Sequence, residues 1–194
     1  MRFLSFVFVL FMAAGLGFAD APMTRMDPDF EGREIFEVTR DGSDGCPPDV
    51  FITPLPYSDL GNTCSATNTV TNYTGGSCGA DLPFPYGGED MIYEITLGAG
   101  NSVGFSADLT GSTGDLVLFL LSTCGDGATC LAHSQDSIGP GAGPEVIDPV
   151  AYTAGTYYLY VDSYYDAGTN GSCGIYALDV TGTLPAELVS FSVE

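Results

Sequence analysis

Between residues 47 and 182, large apolar and aromatic side chains alternate with small or polar ones in short runs. That is the period of strands packing one face on a core. AGTYYLYVDS (154–163) and CGIYALDVTG (173–182) show it, separated by a Gly- and Asn-rich loop, and read as a hairpin. GEDMIYEITLGAGNSVGFSADL holds another alternating pair around the turn GAGNSVG (98–104). GDLVLFLLSTC is apolar almost without a break, as expected of a strand buried on both faces. DVFITPLP (49–56) alternates too, but its prolines lack ladder donors and suit an edge. Strands are therefore predicted at 90–97, 102–109, 115–122, 129–133, 145–149, 156–163 and 174–181, with one more at 33–39. Short strands, Gly- and Pro-rich turns, no helical period and no long repeat predict an all-β antiparallel sandwich of jelly-roll form.

Several of these residues carry a resemblance. Gly88-Glu89-Asp90 precedes Ile92-Tyr93-Glu94-Ile95, and Asp115-Leu116-Val117-Leu118-Phe119-Leu120 leads to Cys124. Ala154-Gly155-Thr156-Tyr157-Tyr158 leads to Val161-Asp162, and Gly174-Ile175-Tyr176 follows. In this order and spacing, residues 47–182 resemble the bacterial pre-peptidase C-terminal domain family. The resemblance implies a non-catalytic accessory module of a larger secreted or cell-surface protein, one that supports folding, secretion or substrate contact of an attached peptidase or hydrolase. Its partners would be further domains of the same polypeptide. The alternative is a calcium-dependent carbohydrate-binding or adhesion module facing an extracellular protein or polysaccharide. Some members of the family bind calcium structurally, but the resemblance does not fix ligands here. TLPAELVSFSVE resembles the opening strand of a fibronectin-like linker, so 183–194 is expected to be a linker or the start of a truncated next module. A plain C-terminal edge strand is the other reading.

Residues 1–19 join one positive charge to a short apolar run with Gly17 and Ala19 at its end, the form of a secretory signal peptide cleaved before Asp20. The run falls short of the ~20 residues a membrane span needs. Residues 20–46 form a charged lead-in before the sandwich. The chain is thus expected to be secreted or at the cell surface, without membrane insertion. Four Lys+Arg stand against 25 Asp+Glu, a formal net charge of -21. Every basic residue is an arginine at or before Arg40, so the sandwich carries no fixed positive charge. Nucleic acid and anionic lipid, held through lysine and arginine, are excluded as partners.

Six cysteines in an exported chain predict disulfides. Spacing favours Cys64 with Cys78 and Cys124 with Cys130, which leaves Cys46 for Cys173. No pair has the C-x-x-C spacing of a zinc site. Catalytic candidates are few. His133, Ser134 and Asp136 are the set a triad would need, but neighbours on a strand point to alternate faces. Glu89 and Asp90 fail as a catalytic pair for the same reason, and no nucleophile elbow, HExxH or phosphate loop occurs. This chain alone is not expected to be an enzyme. For the scattered carboxylates two readings stand: solvated or turn-capping groups, and a weak structural calcium site at Asp90 or Asp162, which are expected to meet at one edge of the sandwich. Tyr164 and Tyr165 are the aromatic pair expected to be exposed for ligand contact.

Overall fold

The computed structural model describes residues 45–74, 78–79, 86–109, 111–135 and 139–183. Cα packing divides the chain between Thr39 and Arg40, and every described residue belongs to the second unit. The leader, the strand predicted at 33–39, Asp136 and residues 184–194 of the tail lie outside the described residues.

Among the described residues, eight strands form two antiparallel four-stranded sheets. One sheet holds, in order, β1 (Tyr57–Asn62), β8 (Ile175–Thr183), β3 (Ser102–Asp108) and β6 (Pro144–Ala151). The other holds β2 (Met91–Leu97), β7 (Gly155–Ser163), β4 (Leu116–Leu121) and β5 (Cys130–Ser134). Both orders are those of an eight-stranded jelly roll. Seven of the predicted strands are present within a residue or two of their predicted ends. The predicted hairpins are not. Strands β7 and β8 lie in different sheets, as do β2 and β3, so 98–101 is a crossing between sheets rather than a hairpin turn, and 102–104 already belong to β3. Alternation states which face of a strand is buried, and is silent on which strand lies beside it. The run at 49–56 contributes a short parallel bridge, Phe51 with Glu94, beside the edge of β2. Strand β1 itself follows those prolines and was not predicted, because YSDLGN holds one aromatic and one aliphatic side chain.

The inner faces supply the main core. Met91, Tyr93, Ile95, Leu116, Leu118, Leu120, Leu159 and Val161 of one sheet meet Val103, Phe105, Ala107, Leu178 and Val180 of the other. Each large side chain so buried contributes about 1.5–3 kcal/mol before entropy. Strand β4 is buried throughout. Its other face, Val117, Phe119 and Leu121, joins a second core with Ile92 and Tyr160, covered by Val70, Tyr73, Cys78 and Tyr86 from the β1–β2 connection. Tyr73 stacks on Phe119 with ring centroids 3.6 Å apart and planes 9° from parallel.

All six cysteines are paired, but the pairing expected from spacing is corrected. The bonds are Cys46–Cys124, Cys64–Cys173 and Cys78–Cys130, closing sequence separations of 78, 109 and 52. Cys64 follows β1 and Cys173 precedes β8, and these strands pair with Asn62 opposite Ile175. Thr63 N donates to Gly174 O and Gly174 N to Thr63 Oγ1, which seats the two cysteines side by side. Cys78 and Cys130 tie the covering connection to the sheet beneath it. The segment after Cys64 is used to cover that sheet, so it cannot also close back on itself. Bonds of this length and number belong to an oxidising compartment.

Candidate functional site

Asp90 and Asp162 do come together. Met91 pairs with Val161 at the end of the β2–β7 ladder, and the two aspartates are the next residues on either strand. They are not at an exposed edge, however, since both are fully buried. Asp90 Oδ1 accepts from Thr69 Oγ1 at 2.7 Å, and Oδ2 accepts from Thr69 N, Thr69 Oγ1 and Val70 N at 2.8, 2.8 and 3.1 Å. Asp162 Oδ2 accepts from Tyr73 Oη and Oδ1 from its neighbour Ser163 N, each at 2.6 Å. The pair thus fastens Thr69, Val70 and Tyr73, the segment that covers the second core. Burial is the main force holding the Asp162 carboxyl well above the usual range, and the Asp90 charge adds to it. The Tyr73 and Ser163 bonds oppose this shift without cancelling it. Burial and the Asp162 charge likewise push the Tyr73 phenol up.

Calcium needs six to eight oxygen ligands. Here all four carboxylate oxygens already accept protein donors. No group of three or more acidic, histidine or cysteine side chains among the described residues is arranged to hold an ion. Two other acceptors close by in the chain, Asn68 Oδ1 and Glu89 Oε2, are buried without a hydrogen-bond partner.

Tyr165 is exposed, while Tyr164 packs half-buried against the second core. Their rings meet edge to face at 86°, and Tyr164 meets Tyr86 in the same way, so the pair does not present one flat platform. His133 lies over Phe119 on the outer face of its sheet, with centroids 6.3 Å apart. Ser134 points the other way. Its Oγ donates to Glu145 Oε2 at 2.6 Å and accepts from Val146 N at 2.8 Å, closing the sandwich between β5 and β6. Alternation thus separates His133 from Ser134 as expected.

One polar cluster escaped the sequence. Tyr93 and Tyr176 Oη lie 2.8 Å apart inside the sandwich, and Asp59 Oδ2 accepts from Tyr93 at 3.3 Å and Tyr57 at 3.2 Å. Gly61 makes room for it, because a Cβ there would run into the Tyr176 ring. The available signal was Tyr57, Asp59 and Gly61 at period two, which marks one face, though of unexpected composition.

Fold and site define a disulfide-linked jelly roll in which the buried Asp90, Asp162, Ser134 and Glu145 are used in its own closure. No protein-family model and no curated protein matches the sequence. Among solved structures, the chain is similar to the pre-peptidase C-terminal domain of collagenase from Bacillus anthracis, with 17% identity over 68% of this chain and 93% of that one, at a TM-score of 0.43. It is also similar to a periplasmic inhibitor of g-type lysozyme from Aeromonas hydrophila, with 13% identity over 69% and 95%, at 0.38. A third is the CBM36-1 domain of a multidomain xylanase from the hindgut metagenome of Trinervitermes trinervoides, with 18% identity over 66% and 98%, at 0.34. Likenesses at these scores carry no inference about activity or ligand.

Proposed function

We propose that this chain is a non-catalytic, exported accessory module that acts by binding and spacing, and that supports an attached peptidase or other hydrolase. One observation carries the reading. The polar groups that could do chemistry are engaged in structural links: Asp90 and Asp162 with the covering segment, Ser134 with Glu145. Three disulfides support an extracytoplasmic location. The test uses the full chain secreted from a host that forms disulfides, mixed with insoluble protein fibres and insoluble polysaccharides, and assayed for amide, ester and glycoside hydrolysis. Retention on a solid substrate without turnover is expected. Turnover that disappears with His133→Ala would overturn the reading.

A second reading, a calcium-dependent adhesion or carbohydrate-binding module, is favoured by the two partnerless acceptors Asn68 Oδ1 and Glu89 Oε2, oxygens of the kind calcium takes. An equal melting temperature in chelator and in millimolar calcium, at constant ionic strength, would remove it.

A further inference from the structure

Among the described residues, the cover over the outer face of the β2–β7 pair reaches one end only. Ile92 and Tyr160 lie in the second core, and Tyr158 packs at its border. Beyond that border Glu94 and Thr156 are half-buried and Thr96 is exposed, with Thr96 Oγ1 3.4 Å from Thr156 Oγ1. Phe51 completes the corner. Ile52 N donates to Glu94 O and Glu94 N to Val50 O, both at 2.8 Å, which fixes this segment along β2. Val50 and Ile52 are buried in the main core, so alternation sends Phe51 to the outer face next to Glu94, where it is 52% exposed. Phe51, Thr53, Glu94 and Thr96 line a shallow, open cavity of about 250 Å³.

An exposed phenylalanine alone is ordinary. This one is held by backbone bonds beside a carboxylate and a pair of hydroxyls, in an open cavity. We propose that this corner binds a neutral saccharide unit, with Phe51 against the apolar face of the sugar ring and Glu94, Thr96 and Thr156 holding its hydroxyls. A sugar ring offers C–H groups on its faces and hydroxyls around its rim. An aromatic ring suits the first. A carboxylate accepts charge-assisted bonds from the second, and threonine hydroxyls both donate and accept. Charge decides between neutral and anionic ligands. The described residues include no lysine or arginine, so a sulfate, phosphate or uronate would meet Glu94 with no counter-charge. The volume lies below the ~300–1,000 Å³ of drug-sized sites, which suits a single unit or branch crossing the corner. Addition of a peptide strand is opposed by Pro54 and Pro56, which remove donors just past Phe51. The site uses no cation and neither Tyr164 nor Tyr165.

Affinity electrophoresis of the full chain tests this, in gels holding a neutral glucan, xylan or mannan, with alginate as the anionic counterpart. Retardation by at least one neutral polymer, none by alginate, and no effect of chelator are expected. Phe51→Ala should weaken that retardation about tenfold or more while keeping the wild-type melting curve. Glu94→Gln should weaken it as well, and serves as the reading should Phe51→Ala loosen the edge. No retardation by any neutral polymer, or retardation unchanged in both variants, overturns the proposal. Binding that is lost in chelator or with Tyr165→Ala, yet kept in Phe51→Ala, overturns it too and assigns binding to the calcium-dependent reading.

Discussion

Replacing Asp162 by asparagine gives the sharpest test of how the carboxylate pair is built. Asparagine has the shape of a protonated aspartic acid and cannot ionise. Its carbonyl can accept from Ser163 N, and its amide can donate to Tyr73 Oη, keeping both contacts that Asp162 makes at 2.6 Å. Asp162→Asn should therefore cost within about 1 kcal/mol in acid. Asp162→Ala leaves two buried donors without an acceptor, about 1–3 kcal/mol each, or about 2–6 kcal/mol together.

The difference between wild type and Asp162→Asn must also change with pH, and its sign is fixed. Burial and the Asp90 charge raise the folded carboxyl well above the ordinary aspartate value, so the folded state keeps a proton that the unfolded state has lost. The stabilisation from this group is complete below the unfolded value and is lost as pH rises through the folded one. Between the two, wild type should lose up to about 1.4 kcal/mol per pH unit relative to the variant. The raised pKa of Asp115 is common to both proteins and cancels in the difference. Urea unfolding of both from pH 4.5 to 7.5, at constant ionic strength, measures it. A difference that stays flat, or moves in favour of wild type as pH rises, would refute the buried-proton account. The second outcome, if enhanced by calcium, would show an ion stabilising the charged form.

Peptide mapping without reduction should return Cys46–Cys124, Cys64–Cys173 and Cys78–Cys130, and a peptide joining Cys64 to Cys78 would refute the scheme. Mild reductant should open the bonds at the exposed Cys46 and Cys64 before that of the fully buried Cys78 and Cys130, as followed by alkylation and mass spectrometry. Losing Cys64–Cys173 should cost about 4–5 kcal/mol, given its separation of 109 residues. Gly61→Ala should cost about 2–4 kcal/mol in urea unfolding, from overpacking against Tyr176 and loss of its bond to Tyr93. Adding Tyr176→Leu should then cost much less than the sum of the two changes, and strict additivity would deny that the residues touch.

What the sequence made legible follows from where the information lies. Strands β2, β3, β4, β7 and β8 could be placed because their burial pattern is written residue by residue, and β4 could be recognised as buried on two faces because both sets of its side chains are apolar. Sheet membership could not be read, because β7 and β8 would show the same alternation as hairpin partners or facing each other across a core. The disulfide pairing was missed for a related reason. Fifteen residues from Cys64 to Cys78 look like a loop to be closed, but they include Val70 and Tyr73, which the second core needs elsewhere. The meeting of Asp90 and Asp162 was legible from strand ends, whereas their full burial was not, since the residues that cover them come from a segment without regular periodicity.

The same covering segment explains where this domain is free to bind. A jelly roll leaves two outer sheet faces for other uses. Much of one is occupied by Val70, Tyr73, Cys78 and Tyr86, and Asp90, Asp162 and Cys78–Cys130 secure that cover. The other face, on the β1–β8–β3–β6 sheet, presents Ser58, Ser106, Ala177 and Asp179 in neighbouring rows, with Ser58 Oγ donating to Asp179 Oδ1 at 2.6 Å. That face also carries the exposed Leu60, Val146 and Ile175, so aliphatic and small polar side chains are mixed across it. A concave, partly aromatic surface survives where the cover stops, past Tyr158, and there the chain places Phe51 by its bonds to β2 rather than by packing. Shortening the cover would expose Phe119 and Tyr160 and break the second core. Removing Phe51 would disturb neither core. A residue held in place by backbone alone, at a margin that the described cover leaves open, is where sequence can vary to change the ligand while the fold is kept.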